Sequence, residues 1–412
     1  MTRGNIKTKT LINRRKMLCD QFSVLYALIA ILLCLSGCRE EEKPSHSAEE
    51  SAKQTLEILL PEVLERVRSD YIDAVPEHRL IEGALGGILF ALDPYSLYLD
   101  PNDSAELKGI SKGEFGGIGL EILPSKTGMK VISAIDDTPA QHASIQAGDL
   151  ITHINGQDVT KILVSDALRQ LYGKPGTDIK LSILEQSGKQ RDLTLTRSTI
   201  KVNPVRSSIK DKIAYLRISL FNEHCEKEVI HTIDGFLKEG KLHGLIIDLR
   251  NNPGGILEQA VYVTSLFLDG GTVVRVQGRT SHDTQQYEAK DHDRVRGLPI
   301  VILINKGSAS GSEIFAAALK DHKRAIIMGS RSFGKGSVQT LFPLSNNGIL
   351  KLTTAYFYSP KNIKIHEKGV EPDISVEADQ HDVMFDSERD AQLKRAYDLL
   401  RGLSFFQVRD HQ

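Results

Sequence analysis

Apolar positions recur at helical spacing between Ala52 and Ala91, at Leu56, Leu59, Leu60, Val63, Leu64 and Val67, then at Leu80, Ile81, Leu85, Ile88 and Leu89. The period predicts two or three amphipathic helices, closed by a turn at Asp93-Pro94-Tyr95-Ser96. A β-rich stretch follows, roughly Asp103 to Arg197. Its strands are expected to include Val131–Ile135, Leu150–Asn155 and Asp178–Leu184, with Asn155-Gly156 turning a hairpin and a helix from about Lys161 to Leu171. The pattern then changes. Gly244–Leu249 and Pro299–Asn305 are short continuous apolar runs, as in strands buried on both faces. Each leads through a Gly/Ser-rich turn into a helical pattern, Gly255 to Phe267 and Gly311 to Lys320, which predicts an α/β core. A last helix is expected from about Asp390 to Leu400.

The first forty residues follow another rule. Arg3, Lys7, Lys9, Arg14, Arg15 and Lys16 form a basic head, and an apolar run from Phe22 to Leu35 follows. That run is short for a membrane span and suits the apolar region of a signal peptide. It ends in Leu35-Ser36-Gly37-Cys38, which resembles a bacterial lipobox, with Cys38 as the lipidated residue; the paired arginines resemble a twin-arginine signal only weakly. The charged stretch from Arg39 to Ser51 has no apolar period and reads as a solvated tether. Arg39 after the lipid cysteine resembles lipoproteins sent to an outer membrane.

Composition narrows the function classes. Of 412 residues, 40% are hydrophobic and 25% charged, which excludes wholesale disorder. Lys+Arg 52 against Asp+Glu 53 leaves no basic excess for nucleic acid, and the absence of Trp leaves stacking platforms poorly supplied. The four cysteines show no metal or disulfide spacing. His282, Asp283, Glu288, Asp291, His292 and Asp293 look like metal ligands, but the hydrophilic run from Thr280 to Arg296 reads as a solvated loop. No metal or cofactor is expected.

Three polar turns at strand ends could carry chemistry: Asp248–Gly255, Asn305–Glu313 and Gly329–Gln339. The last is nearly a phosphate loop, but its hydroxyl is displaced to Ser337 and no helix follows. The Ser-x-x-Lys strings at Ser207 and Ser332 lack the helix such a pair needs. Ser310 is placed at a strand-to-helix turn, where the following N–H favours negative charge. The Pro253-Gly254-Gly255 turn can bring a second bare N–H close. No histidine lies in these turns, so Lys335 is the candidate base. It must be neutral to act, which calls for burial. Gln339, on the same strand face by period-two spacing, could accept from its amine and orient it. On residue types alone, glycines that simply turn and a serine that simply caps a helix are the stronger reading.

Gly307-Ser-Ala-Ser-Gly-Ser-Glu313 and Phe333-Gly-Lys-Gly-Ser-Val-Gln339 resemble the active-site motifs of the carboxy-terminal processing (tail-specific) serine peptidases. Leu92-Asp-Pro-Tyr-Ser-Leu-Tyr-Leu-Asp100, Asp248-Leu-Arg-Asn-Asn-Pro-Gly-Gly255 and Lys368-Gly-Val-Glu-Pro-Asp373 match the same family in order. The resemblance implies a Ser310 nucleophile, a Lys335 base oriented by Gln339, and an oxyanion hole at Gly311 and Gly254/Gly255. It also identifies the β-rich insert as similar to a PDZ domain, with Gly117, Ile118, Gly119 and Leu120 as its carboxylate-binding loop. Gly311 stands where many relatives carry alanine, Ser144 replaces a common glycine, and Ser359–His366 is an altered strand connection.

The implied class is α/β, a crotonase-like (ββα) serine peptidase core with an N-terminal helical segment and an inserted β-rich PDZ domain. The implied order is a lipoprotein signal peptide at 1–37, a tether at 38–51, the helical segment at 52–102, the PDZ domain at 103–198, the peptidase core at 199–380, and a C-terminal helix and tail at 381–412. The expected function is a periplasmic, membrane-anchored serine endopeptidase acting on proteins and peptides with free C termini, with a homo-oligomer or an adaptor as further partners. The competing reading is a non-catalytic PDZ scaffold or chaperone lipoprotein that binds such tails without cutting them.

Overall fold

The computed structural model describes residues 46–101, 114–290, 292–378 and 389–407. The signal stretch, Cys38 and Arg39 lie outside the described residues. Two compact units divide between Leu80 and Ile81. The first holds α1 (His46–Asp70), and α2 (Glu77–Phe90) begins at its end. Helix α1 starts inside the stretch expected as a tether, because Ala48, Glu49, Glu50, Ala52 and Lys53 are strong helix formers.

In the second unit α2 leads to β1 (Leu97–Leu99), and the described chain resumes at β2 (Glu114–Gly117). A β-rich module follows: β3 (Leu120–Ser125), β4 (Gly128–Ala134), α3 (Pro139–His142), β5 (Leu150–Ile154), β6 (Gln157–Asp158), α4 (Val164–Leu171), β7 (Asp178–Leu184) and β8 (Gln190–Thr196). Its sheet runs β3-β4-β5-β7-β8 with β6 on β5, so among the described residues β3 is an edge strand. Asn155 and Gly156 take positive φ at the β5–β6 hairpin, as their turn type requires. The expected Lys161–Leu171 helix is split: a 3-10 turn at Val159–Lys161, capped by Asp158, precedes α4. β9 (Ser198–Lys201) pairs with β2, closing a neck where the chain enters and leaves the module.

The core then runs β10 (Val205–Lys210), β11 (Ile213–Ile218), α5 (Cys225–Lys238), β12 (Gly244–Asp248), α6 (Leu257–Ser265), β13 (Thr272–Gly278), β14 (Gln285–Glu288), β15 (Ile300–Ile304), α7 (Gly311–Asp321), β16 (Ile326–Gly329), β17 (Ser337–Pro343), β18 (Ile349–Tyr358), β19 (Ile374–Ser375) and α8 (Ala391–Gln407). One sheet has the order β10-β11-β12-β15-β16-β19, parallel from β11 onward. Every residue of β11, β12 and β15 is buried. Period two divides them: Ala214, Leu216, Leu245, Ile247, Ile302 and Ile304 pack with α5, α6 and α7. Ile213, Tyr215, Ile246, Val301 and Leu303 pack with Leu393, Ala396, Tyr397 and Leu400 of α8. A second sheet, β1-β18-β13-β14 with β17 on β18, carries the β17–β18 hairpin.

The run from Thr280 to Arg296 is mostly exposed, as its polarity suggests, but it is not wholly a loop. β14 pairs with β13, Tyr287, Ala289 and Val295 pack on the core, and Arg324 Nε meets Asp293 at 2.6 Å. A few apolar residues suffice where a neighbouring strand offers an open edge.

Candidate active site

Parallel pairing of β12, β15 and β16 puts the three polar turns at one edge of the sheet, because their strands end side by side. Ser310 closes the turn after β15 at φ 51° and ψ −110°, a conformation L-residues rarely hold unless neighbours impose it. Backbone and side-chain bonds impose it here. Ala309 N–H and Ser312 Oγ both donate to Asn252 O at 2.9 Å, and Ser308 Oγ donates to Leu249 O at 2.8 Å. These contacts lash the Ser310 turn to the turn after β12.

Gly254 lies directly against the serine, at φ 105°; a Cβ there would stand 2.7 Å from Ser310 Cβ and 2.8 Å from Gly311 N. Only glycine permits this approach. The expected role of the two glycines divides, however. Gly254 N–H is spent on Asn252 Oδ1 at 2.8 Å. The N–H groups of Gly255 and of Gly311, the first residue of α7, have no acceptor among the described residues.

The residue that joins Ser310 to Lys335 is Glu313. Its fully buried carboxylate accepts from Ser310 N–H at 2.9 Å and Lys335 N–H at 2.8 Å on one oxygen. The other oxygen accepts from Gly334 N–H at 2.7 Å and from Ser332 Oγ. Burial pushes the Glu313 carboxyl up to about 7, against the opposing pull of these donors. Sequence reading gave Glu313 no role, although Ser310-Gly-Ser-Glu313 has the spacing of a helix capping box.

Lys335 and Gln339 are close in sequence but not in contact. Lys335 Nζ sits 3.3 Å from Glu121 Oε1 of β3 and 5.8 Å from the centre of the Tyr95 ring. Gln339 Nε2 instead donates to Ser337 Oγ at 2.9 Å and Thr353 Oγ1 at 3.2 Å. A bulge between Val338 and Gln339 breaks the period-two spacing from which a shared face was expected.

The expected carboxylate loop bridges the neck and the β-rich module. Gly117 ends β2 and Leu120 opens β3, while Ile118 is buried. The carbonyls of Ile118 and Gly119 point inward, accepting from Ala140 and Ile135 N–H at 2.9 Å. Gly119, at φ 80°, has no room for a Cβ beside Thr138. A buried ion pair fastens this module to the core: Arg217 of β11 donates to both Asp136 oxygens, at 3.0 and 3.1 Å, and to Asp248 O at 3.1 Å. Arg217 was also missed, though a lone charge inside the apolar run Ile213–Ile218 is a visible signal.

Comparison with known proteins matches the division into a β-rich module and an α/β core. The model of peptidase family S41 matches residues 212–376, and the PDZ domain model matches residues 105–184. A carboxy-terminal-processing protease of Bartonella bacilliformis is 43% identical over 320 residues, covering 77% of this chain and 74% of its own. The carboxy-terminal processing protease CtpA of Bacillus subtilis is 34% identical, covering 77% of this chain and 68% of its own. The solved photosystem II D1 C-terminal processing protease superposes with a TM-score of 0.66 at 28% identity, over 77% of this chain and 86% of that one. With its PDZ domain, its α/β core and its three converging turns, the chain belongs to the carboxy-terminal processing proteases of peptidase family S41.

Proposed function

We propose that this protease cuts protein C-terminal tails with a Ser310–Lys335 dyad. The reading rests on one observation: the strained Ser310 turn and the Lys335 loop hang on the same buried Glu313 carboxylate, with Gly254 pressed against the serine. Ser310 Oγ attacks the scissile carbonyl, neutral Lys335 takes its proton and returns it to the leaving amine, and water then clears the acyl-serine. The Gly311 and Gly255 N–H groups receive the oxyanion, and Gly254 lets the two turns approach. Gln339 orients the lysine only after Nζ leaves Glu121.

The PDZ domain reads the substrate's free carboxylate at Gly117 to Leu120, and the tail adds as a strand on the open edge of β3. Glu121 follows this loop directly, so docking delivers the tail and loosens the contact on Lys335. The chain works on the periplasmic side of a bacterial membrane, lipid-anchored through Cys38, with Arg39 favouring the outer one. Fractionation of wild type beside Cys38→Ala tests the anchor; unlipidated wild type free in the periplasm would count against it.

Casein digestion by the soluble form tests the dyad. Ser310→Ala and Lys335→Ala are expected to be inactive, since no histidine is placed to replace the base. A Lys335→Ala variant that still cuts, or inhibition by chelators and not by serine-directed reagents, would remove the dyad. A wild type that binds tails and cuts nothing would return the protein to the scaffold reading.

A further inference from the structure

The turn that carries Gly254 and Gly255 has its carbonyls assigned almost group by group. Arg217 donates to Asp248 O, Ser308 Oγ to Leu249 O, Ala309 N–H and Ser312 Oγ to Asn252 O, and Phe221 N–H to Gly254 O at 2.8 Å. The carbonyl of Asn251 is taken by the PDZ domain. Ser133 Oγ of β4, fully buried, donates to it at 2.6 Å, with Ala134 O a longer alternative at 3.3 Å. Asn251 stands at φ 53°. Its N–H donates to Asn305 Oδ1, and its Oδ1 accepts from Asn305 Nδ2, each at 2.8 Å, across to the turn after β15.

We propose that Ser133 is a positioning residue for the peptidase reaction: its hydroxyl fixes the Asn251–Asn252 peptide, and through it the N–H groups that receive the oxyanion. The inference rests on reading Ser310 as the nucleophile and Gly255 and Gly311 as the oxyanion donors. The carbonyl of Asn251 and the N–H of Asn252 lie in one rigid plane, so a bond that fixes the first also sets the direction in which Asn252 departs. Asn252 then organises both neighbours. Its Oδ1 accepts from Gly254 N–H at 2.8 Å, and its Nδ2 donates to Ile218 O at 2.9 Å. Its carbonyl holds Ala309 N–H and Ser312 Oγ, which flank Ser310 and Gly311. One peptide plane thus aims Gly255 along its own turn and Gly311 across to the next. A positive φ at a residue other than glycine persists only where neighbours hold it. Without the Ser133 hydroxyl, Asn251 O loses its donor and the plane is free to turn towards another.

The test compares Ser133→Ala with wild type in the soluble form on a free-acid tail peptide, counting active sites with a serine-directed reagent run to completion. Oxyanion donors act on the transition state more than on the bound substrate. A donor misaimed rather than removed should therefore lower kcat about tenfold per active site and leave KM within about twofold of wild type. Inhibition by a peptide aldehyde, whose adduct with the serine places its oxygen where the oxyanion forms, should weaken by the same factor as kcat/KM. Tail affinity, measured on Ser310→Ala with and without Ser133→Ala, should not change. Ile179→Val, which trims the PDZ core away from the turn, should keep the wild-type kcat. A wild-type kcat in Ser133→Ala, a loss carried by KM or tail affinity, or the same kcat loss in Ile179→Val overturns the proposal. Ser310→Ala keeps the readings apart: if it is inactive, the nucleophile stands whatever Ser133 does, and if it still cuts, the nucleophile and this support for it fall together.

Discussion

Glu313 shows how one buried side chain can tie two turns of a site together. Its carboxyl is held up at about 7 by burial, whereas an unfolded chain would release the proton near the ordinary value of 4.5. Between those two pH values the folded state binds the proton and the unfolded state does not. The stability contributed by this group therefore falls as pH rises from about 4.5 to about 7, and levels off above. Chemical denaturation across that window should show the decline in wild type and lose this part of it in Glu313→Gln. The amide also keeps only one acceptor oxygen, so either the Ser310 and Lys335 donors or the Gly334 and Ser332 donors lose their acceptor. Misplacing the proposed dyad in this way should lower kcat/KM by about a hundredfold. An unchanged rate in Glu313→Gln would show that the shared carboxylate does not position the dyad.

At the scale of elements, the informative feature is the edge of β3. Among the described residues the strand pairs only with β4 in its sheet, and the Gly117–Leu120 loop feeds straight into it. A tail that adds there has its carboxylate at the loop and its chain beside Glu121. Amidating the peptide's C terminus removes the charge the loop is proposed to read, so cleavage should fall markedly. Gly119→Val should do the same, because its φ of 80° and the Thr138 side chain leave no room for a branched residue. Both changes should leave Ser310 reactive towards a small serine-directed probe. Equal cleavage of amidated and free-acid peptides would remove tail reading and leave only the peptidase.

At the scale of the whole molecule, the buried ion pair of Arg217 holds the PDZ domain to the catalytic sheet. Arg217 is fully buried, it joins Asp136 to the end of β12, and Asp248 connects in turn to Arg250 and Asp390 ahead of α8. Desolvation opposes the Arg217 charge, and the Asp136 and Asp248 carboxylates hold it charged. Removing one partner leaves uncompensated charge in a dry interior. Arg217→Met should therefore destabilise the protein by about 3–5 kcal/mol and separate PDZ unfolding from that of the core. A single unshifted thermal transition in that variant would show that the pair does not couple the two.

Local order was legible in the sequence because it follows from period and turn chemistry alone. The buried strands Gly244–Asp248 and Ile300–Ile304, helix α7, the Asn155-Gly156 hairpin and the turns that hold Ser310, Lys335 and the glycine pair all declare themselves by spacing. Long-range partners do not. Glu313 bonds to residues up to 22 positions away, Lys335 meets Glu121 across 214, and Arg217 meets Asp136 across 81. A bulge of one residue was enough to turn Gln339 from Lys335 towards Thr353. Residue type and spacing alone therefore determined the elements and the candidate groups. Which carboxylate faces which cation was decided only by the fold, because a charge finds its partner through burial and distance, and neither is written along the chain.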